Sequence, residues 1–437
     1  MLIFSTLSNP EGVDFFRNEE NMKKILTLLA VMIMLVLPAC QAPVAVVETE
    51  EVPVVVTEEV PTEEIVEPVV EPTIEAYPVE EVTEEPVEVE PVTIDFAQNF
   101  TLEYKEGYKL LTVTLPWSGA TESLAYALVP TGTTVADDLS GATVISTPID
   151  SFVSLSTTYL TFLDQIDELS SIVAVDTADY TYNTDISLWA EAGAISSVGS
   201  GPSIDIERLL ELAPDVIMTS ASGFADYDTH PVLEQAGLPV VINSDYLEQD
   251  PLGRAEWGKF IAAFYDKEAE ADVIFDAMVG RYEEAKALAA NQTEKVTVFV
   301  NTAYEGTWYM PGADSYAAIL LKDAGADYLW SDLEGYGAMP LDFEVVVERA
   351  KDADYWLNVG FATDLASLAA MDTRYAEFKA FQDGKVFNNN ARITAMGGSD
   401  YYESGVANPD VVLLDLVSIF YPDLAAGHEF FYYTQLQ

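Results

Sequence analysis

Histidine and cysteine, the side chains most used for nucleophilic, acid–base and metal chemistry, are nearly missing from this chain. Its 437 residues include two histidines, His230 and His428, and one cysteine. A zinc cage, a histidine-rich metal cluster and an intramolecular disulfide are therefore excluded. His428-Glu429 begins like a zinc-protease motif, but Tyr432 stands where the second histidine would be.

Enzyme signatures are missing as well. The sequence contains neither a G-x-S-x-G nucleophile elbow nor a G-x-x-x-x-G-K-[ST] phosphate loop. Its 74 acidic side chains offer so many carboxylate pairs that none stands out as an acid/base couple. We predict a protein that is not an enzyme, with an extracellular hydrolase as the alternative.

The charge balance excludes a polyanionic partner. Only 19 basic residues oppose the acidic ones, and a net charge of −55 would repel nucleic acid over the whole surface. A hydrophobic fraction of 49% is nevertheless typical of a globular protein with a core.

The first residues carry an export signal. Met22 and two lysines precede an apolar run from Ile25 to Leu37, and Leu-Pro-Ala-Cys follows. The run is shorter than the ~20 residues that span a bilayer, and its ending resembles a bacterial lipobox. We predict a lipoprotein signal peptide over residues 1–39, with translation starting at Met22 and a lipid on Cys40.

An acidic segment follows the signal. Residues 41–95 contain sixteen glutamates and no lysine or arginine. Like charges repel one another, and frequent prolines prevent helices and central strands. We predict a disordered tether over residues 40–95 that holds a folded body off a membrane; a binding segment is the alternative.

The remaining chain predicts an α/β protein. Residues 96–140 form a β extension, in which Thr101–Tyr104 and Tyr108–Leu115 are antiparallel strands. Beyond it, short β-branched runs alternate with amphipathic segments, which indicates mostly parallel sheets with helices on both faces. A continuous helix over residues 251–291, about 60 Å long, would join an N-terminal lobe (141–250) to a C-terminal lobe (292–437).

An internal echo relates the two lobes. The pattern D-x-E-x-x-x-E-x-A-x-D begins at Asp205 and again at Asp342, each time just before an apolar strand. It places Glu207 and Glu344 at equivalent positions in the first turn of a predicted helix, where a carboxylate also complements the helix dipole.

Several segments together resemble one family. They are Val153–Thr158, Leu212–Ile217, Gly237–Val241, Asp250–Trp257 and the tail from Tyr401 to Pro422. In this order and behind a lipoprotein signal, they resemble the ABC-transporter solute-binding proteins of the ferric-siderophore, haem and vitamin B12 type. The resemblance covers about residues 140–437. It implies two Rossmann-like lobes joined by one long helix, with ligand held between them.

The resemblance also implies a function and partners. The protein would be a membrane-anchored, monomeric, extracytoplasmic receptor that delivers an iron chelate, haem or cobalamin to permease subunits with a cytoplasmic ATPase. In similar proteins a glutamate on each lobe pairs with permease arginines, and Glu207 and Glu344 occupy those places. A surface sensory or adhesion module with the same fold is the alternative.

Candidate ligand contacts lie at the carboxyl ends of predicted strands, where open α/β sheets bind ligands. Aromatic rings there could cover a flat chelate, although core packing is the alternative for each. The candidates are Tyr159, Tyr180, Tyr182, Ser200, Phe224, Tyr246, Trp308, Tyr309, Tyr336, Phe361, Tyr401 and Tyr402, with Arg392 as the cationic contact.

Replacing Cys40 by serine tests the anchor. Without the thiol no lipid can be attached, so we expect the Cys40→Ser protein to leave the membrane fraction and to lose labelling by a fatty-acid analogue. Retention in the membrane without lipid would instead show that residues 25–39 act as the anchor.

Overall fold

The computed structural model describes residues 91–136, 138–224 and 226–437. The predicted signal peptide, Cys40 and the tether up to residue 90 lie outside the described residues. Within the described part, no helix has both the length and the apolar character that crossing a membrane requires.

The predicted β extension provides three strands of a four-stranded sheet with the order β1-β2-β3-β4, whose fourth strand lies beyond the predicted bound at residue 140. Its first two strands form the predicted hairpin, whose turn uses the positive φ of Gly107, and β4 joins β3 in parallel. The strands are β1 (Phe100–Lys105), β2 (Tyr108–Val113), β3 (Leu124–Pro130) and β4 (Thr143–Thr147).

The N-terminal lobe contains a parallel sheet with the order β7-β6-β5-β8-β9. Because the strand order reverses at β5, the carboxyl ends of these strands open into a crevice. The elements are β5 (Phe152–Ser154), α1 (Thr158–Gln165), β6 (Ile172–Val175), α2 (Thr184–Glu191), β7 (Ser196–Ser197), α3 (Ile206–Leu212), β8 (Val216–Thr219), α4 (His230–Gln235) and β9 (Val240–Ile242).

The connection between the lobes is helical, as expected, but it is a hairpin rather than one forty-residue rod. Helices α5 (Pro251–Ala262) and α6 (Glu268–Ala289) are separated by a short 3-10 turn and by Asp266, whose φ of 58° is left-handed. Lys259 on α5 pairs with Asp272 on α6 at 2.7 Å. In one straight helix these residues would lie about 20 Å apart, so the chain folds back between the two helices.

Both helices bridge the two cores. Leu252 near the start of α5 packs in the core of the C-terminal lobe, whereas Trp257 and Phe260 pack in that of the N-terminal lobe. In α6 the order is reversed, from Ala271 in the N-terminal core to Tyr282 in the C-terminal core. The hairpin is therefore a rigid link between the lobes.

The C-terminal lobe has a five-stranded sheet, β13-β10-β15-β16-β17, and a small antiparallel sheet, β11-β12-β14. Only β17 is antiparallel in the larger sheet. The strands are β10 (Thr297–Val300), β11 (Ala303–Tyr304), β12 (Thr307–Pro311), β13 (Asp327–Tyr328), β14 (Ala338–Asp342), β15 (Tyr355–Leu357), β16 (Val386–Asn388) and β17 (Thr434–Gln435). The helices are α7 (Tyr316–Asp323), α8 (Phe343–Ala350), α9 (Leu365–Met371), α10 (Lys379–Gln382) and α12 (Pro409–Phe420). Helix α11 (Ser404–Ala407) precedes α12 in the chain but packs in the core of the N-terminal lobe through Val406 and Ala407. The predicted α/β class with two lobes and a helical link is confirmed.

Two buried glutamates attach the start of the β extension to the hairpin. The carboxylate of Glu256, fully buried on α5, accepts the backbone N–H groups of residues 95, 96 and 97 at 2.7–2.9 Å. Glu248 accepts those of residues 98 and 99 at 2.9–3.0 Å. Side-chain oxygens therefore accept the N–H groups of five successive residues. In a sheet, a neighbouring strand would have provided such acceptors.

Lys109 of β2 caps the hairpin corner. Its Nζ donates to Asp266 Oδ1 at 2.7 Å, to Glu268 Oε2 at 3.0 Å and to the carbonyl oxygen of Ala263 at 2.8 Å. An aspartate in the left-handed region is strained relative to glycine. The buried ammonium compensates by neutralising the acidic corner and by satisfying a carbonyl at the end of α5.

Replacing Lys109 by methionine should destabilise the hairpin. The change leaves Asp266 and buried Glu268 without their cation, and such losses cost about 3 kcal/mol. We expect a correspondingly lower urea midpoint. Lys105→Met is the matched control, because Lys105 is a more exposed lysine at the end of β1, paired with exposed Glu103. Equal midpoints for the two variants would contradict the capping role.

Candidate functional site

Loops beyond the carboxyl ends of the two parallel sheets meet, since Thr158 Oγ1 beyond β5 donates to the carbonyl oxygen of Tyr402 beyond β16 at 3.0 Å. The start of α5 lies beside this junction, because Pro251 and Arg254 line one cavity together with Tyr402, and we take it as the floor of the gap between the lobes. Arg254 there donates from Nη2 to Asp245 Oδ2 of the N-terminal lobe at 2.9 Å. Its guanidinium also lies over the ring of Tyr316 in the C-terminal lobe, 4.5 Å from the centroid. Arg254 thus contacts both lobes, and this gap is the candidate ligand cleft.

A small cavity opens beside Arg254. Its volume is about 20 Å³, which is room for roughly one water molecule. Tyr316, Tyr401 and Tyr402 are among its lining residues. Tyr402 is 50% exposed, yet its surroundings raise the pKa of its hydroxyl to about 12, mainly by desolvation. As one of the lining residues, Tyr402 forms part of the cavity wall, and half of its surface remains open to solvent.

A seam of hydrogen bonds joins the lobes at one end of the cleft. The carboxylate of Glu403, just before α11, accepts from Thr181 Oγ1 at 3.1 Å and from the amides of Tyr182 and Asn183 at 2.8 and 2.9 Å. Thr394 Oγ1 donates across the same seam to the carbonyl oxygen of Asp179 at 3.2 Å. The loops after β6 and β16 therefore form one unit.

Gly398 allows this close approach. A Cβ at that position would lie 1.8 Å from the carbonyl oxygen of Tyr180, so only glycine fits. Burial raises the pKa of Glu403 to about 7, with Asp400 adding to the shift and the three donors opposing it.

The β extension also reaches the cleft. Trp117, in the loop after β2, packs on Gly223 so closely that a Cβ there would lie 2.5 Å from its Cδ1. The same indole stacks on His230 with ring centroids 5.6 Å apart. Since Gly223 precedes the candidate Phe224, the extension supports one of the cleft loops.

Three of the predicted ligand contacts are core residues. Tyr159, Trp308 and Tyr401 are at most 7% exposed. Trp308 Nε1 donates to the carbonyl oxygen of Val300, so its polar atom is used internally. The placement of Trp308 in an irregular loop is wrong: it lies on β12, and its ring is part of the core of the C-terminal lobe. No residue pattern around it signals the small antiparallel sheet.

Arg392 is engaged within the protein rather than presented to a ligand. Its Nε donates to Asp400 Oδ2 at 2.5 Å. Its guanidinium lies between the rings of Tyr182 and Phe431, 4.4 and 4.2 Å from their centroids. These contacts favour the alternative of a structural arginine, which holds the seam together with Glu403.

The other candidates divide by exposure. Five aromatic candidates are exposed: Tyr180, Phe224, Tyr336, Phe361 and Tyr402. Four candidates are half-buried: Tyr182, Ser200, Tyr246 and Tyr309. Tyr246 Oη donates to the carbonyl oxygen of Ala221 at 2.6 Å, which ties the loops after β8 and β9 together.

Sequence reasoning missed Arg254 and Tyr316 as site residues. Arg254 lies inside the Asp250–Trp257 run, and Tyr316 begins α7, so both look like ordinary helix residues. The position of Arg254 in the first turn of a helix could have indicated a functional role. A cation there interacts unfavourably with the helix dipole, so another interaction must favour it.

The two echo glutamates are exposed in the first turns of α3 and α8. Asp205 caps α3 by accepting the amide of Arg208, whereas Asp342 makes no side-chain cap hydrogen bond at the start of α8. Glu344 is 81% exposed at its side chain and lies 3.5 Å from Arg374 Nη1. No cluster of metal-ligating side chains is found among the described residues.

Comparison with known proteins identifies the family. The sequence model of a family described as "periplasmic binding protein" matches residues 152–392, which is more than half of the chain. The chain belongs to this family. It is a solute-binding protein of the ABC-transporter type, a class that works with permease and ATPase subunits and is not enzymatic.

Curated relatives come from one archaeon. An uncharacterized lipoprotein of Methanocaldococcus jannaschii is 29% identical over 299 residues, which cover 65% of this chain and 68% of the relative. A second uncharacterized lipoprotein of that organism is 27% identical over 55% of this chain and 61% of its own length.

Solved structures overlap with the same region. An ABC-transporter substrate-binding protein of Listeria monocytogenes has 17% identity and a TM-score of 0.47, over 63% of this chain and 99% of its own. A molybdate-binding periplasmic protein of Haemophilus influenzae has 20% identity and a TM-score of 0.48, and the overlap covers 64% of this chain and 88% of that protein.

The seam predicts a pH-dependent stability. A carboxyl whose pKa rises from 4.5 to about 7 on folding stabilises the folded state fully below pH 4.5, and this contribution is lost as the pH rises through 7. We expect the melting temperature to fall more steeply between pH 5 and 8 in the wild type than in Glu403→Gln. Parallel pH profiles would contradict this assignment, because the other carboxylates contribute equally to both proteins.

Proposed function

We propose that this protein is the lipid-anchored, extracytoplasmic receptor of an ABC importer and that it captures a metal chelate or related cofactor, such as a ferric siderophore, haem or cobalamin. The family provides the transport role. The ligand class rests on the aromatic rings that both lobes present at the cleft.

Exposed rings are the observation that carries the ligand class. Phe361, three residues beyond Asn358 at the end of β15, is 91% exposed, and Phe224 in the facing lobe is 55% exposed. Large apolar rings in such positions lose solvent contact only when something covers them. A chelate or macrocycle has a broad, partly apolar surface that can stack on these rings.

The use of both histidines in packing supports a chelate over a bare ion. His428 is hydrogen-bonded to buried Asp415, and His230 stacks on Trp117. A free transition-metal ion would have to be bound by oxygen ligands alone, which is not what such ions prefer.

Fluorescence titration of the full-length protein tests this proposal. A ferric siderophore panel, haem and cobalamin are added to protein in detergent, and tryptophan quenching gives the affinity. We expect micromolar or tighter binding of one class. Failure of every compound to bind at micromolar concentration would refute the chelate assignment.

Removing a cleft ring should weaken that binding. Phe361→Ala deletes an exposed side chain, so we expect an unchanged melting temperature but an affinity for the bound chelate about tenfold lower, which is about 1.4 kcal/mol. Val273→Ala is the control, since Val273 is 70% exposed on α6. Equal affinity of both variants would place the ligand elsewhere.

Anchoring follows from the export signal. Cys40 would carry the lipid, and the acidic segment would let the body reach its permease from the membrane surface. The two archaeal relatives named as lipoproteins support this arrangement.

Glu207 and Glu344 are proposed to dock the receptor on its permease. Both are exposed in the first turns of α3 and α8, the helices of the internal echo. Two separated carboxylates can orient a two-lobed body on paired cationic loops, and such rim charges act mainly on encounter and register.

Charge reversal at both positions tests docking. The double variant Glu207→Arg and Glu344→Arg should keep ligand affinity but lose co-purification with the permease and uptake. The matched control, Glu270→Arg with Glu284→Arg, makes the same charge change on exposed positions of α6. Normal uptake by the first variant, or loss in both, would contradict the docking role.

A further inference from the structure

Arg254 holds an unused hydrogen-bond donor in a buried position. The residue is 9% exposed, and its Nε is a buried polar atom without a hydrogen-bond partner. Its other contacts are Nη2 on Asp245 and the stack on Tyr316. A buried N–H of a charged group is normally satisfied, so an acceptor is missing at this point.

Space for that acceptor lies next to the guanidinium. Arg254, Pro251, Tyr316 and Tyr402 are all among the residues that line the small cavity. Tyr402 has half of its surface exposed and adds a phenolic O–H. The cavity at present fits about one water-sized group, such as a single oxygen atom of a larger molecule.

The local field favours a negative acceptor. α5 is a twelve-residue helix that begins at Pro251, so its positive end is directed toward this floor. Asp245 neutralises part of the arginine charge, but it is bound through Nη2 and leaves the Nε side free.

We propose that Arg254 Nε and Tyr402 Oη form an anion subsite on the cleft floor, which takes a negatively charged oxygen of the ligand, such as a carboxylate. The inference rests on the proposed function and adds the ligand's charge to it. It replaces Arg392 by Arg254 as the cationic contact. The ligand would place one anionic oxygen at the floor while its apolar surface covers the rings above.

The competing explanation is a purely structural arginine. The ion pair with Asp245 and the stack on Tyr316 would account for its burial. These two contacts do not explain why Nε has no hydrogen-bond partner. Nε–H is also a donor that a lysine at this position would lack.

Ferric citrate, an anionic carboxylate chelate, is the probe. Its affinity is measured for the full-length wild type, Arg254→Lys, Arg254→Gln and the control Arg349→Gln, an exposed arginine paired with Asp332. Arg254→Lys keeps the positive charge without a donor at the Nε position. In parallel, the Nε–H resonance of arginine-labelled wild type is followed by NMR; the signal missing from Arg254→Lys is assigned to Arg254.

We expect ferric citrate to shift the Arg254 Nε–H resonance, and both Arg254 variants to bind at least tenfold more weakly while Arg349→Gln binds normally. If ferric citrate binds but the resonance stays in place and Arg254→Lys retains full affinity, the subsite is refuted while the receptor function stands. If the wild type binds no ferric citrate, the NMR titration is repeated with iron-free citrate. A shift of the Arg254 Nε–H resonance then supports the subsite, and an unmoved resonance at 100 mM citrate overturns it. If the variants misfold, the wild-type resonance alone decides in the same way.

Discussion

The structure depends on two glutamate carboxylates that receive five successive backbone amides. Glu256 and Glu248 fix residues 95–99 against the start of the helical hairpin. Trp257 Nε1 also donates to Glu248 at 3.1 Å, and Lys259 pairs with Glu256 at 3.0 Å, so each carboxylate has a further donor besides the backbone amides. Without these carboxylates the five amides would lose their acceptors, that of Asn99 in a buried position, and the β extension would lose its attachment to α5.

The attached extension then reaches two distant places. Lys109 caps the left-handed corner at Asp266, which turns α6 back along α5 and brings both helices across the two cores. Trp117 supports the loop that carries Phe224. An added sheet in front of a binding-protein fold thereby stabilises both the link between the lobes and one wall of the cleft.

The cleft combines a polar base with apolar walls. Arg254 contacts both lobes at the floor, the Glu403 seam joins them at one end, and exposed rings such as Phe361 remain above. Since two helices and a seam connect the lobes, large hinge motions would have to break several buried hydrogen bonds. Binding is therefore expected to involve loop and side-chain adjustment more than wide lobe opening.

The sequence by itself determined the α/β class, the two lobes, the helical link and the family, because hydrophobic periodicity and local fragments carry that information over short distances. It also located exposed strand-end rings such as Phe361 and Phe224. Only the tertiary structure decided that the link bends at Asp266, since the capping lysine is 157 residues away in the chain. It likewise decided that Trp308 is core, that Arg392 is held by Asp400 between two rings, and that Arg254 is the arginine on the cleft floor. Each of these outcomes depends on contacts between residues that are far apart in the chain. A local pattern of residue types contains no information about such contacts.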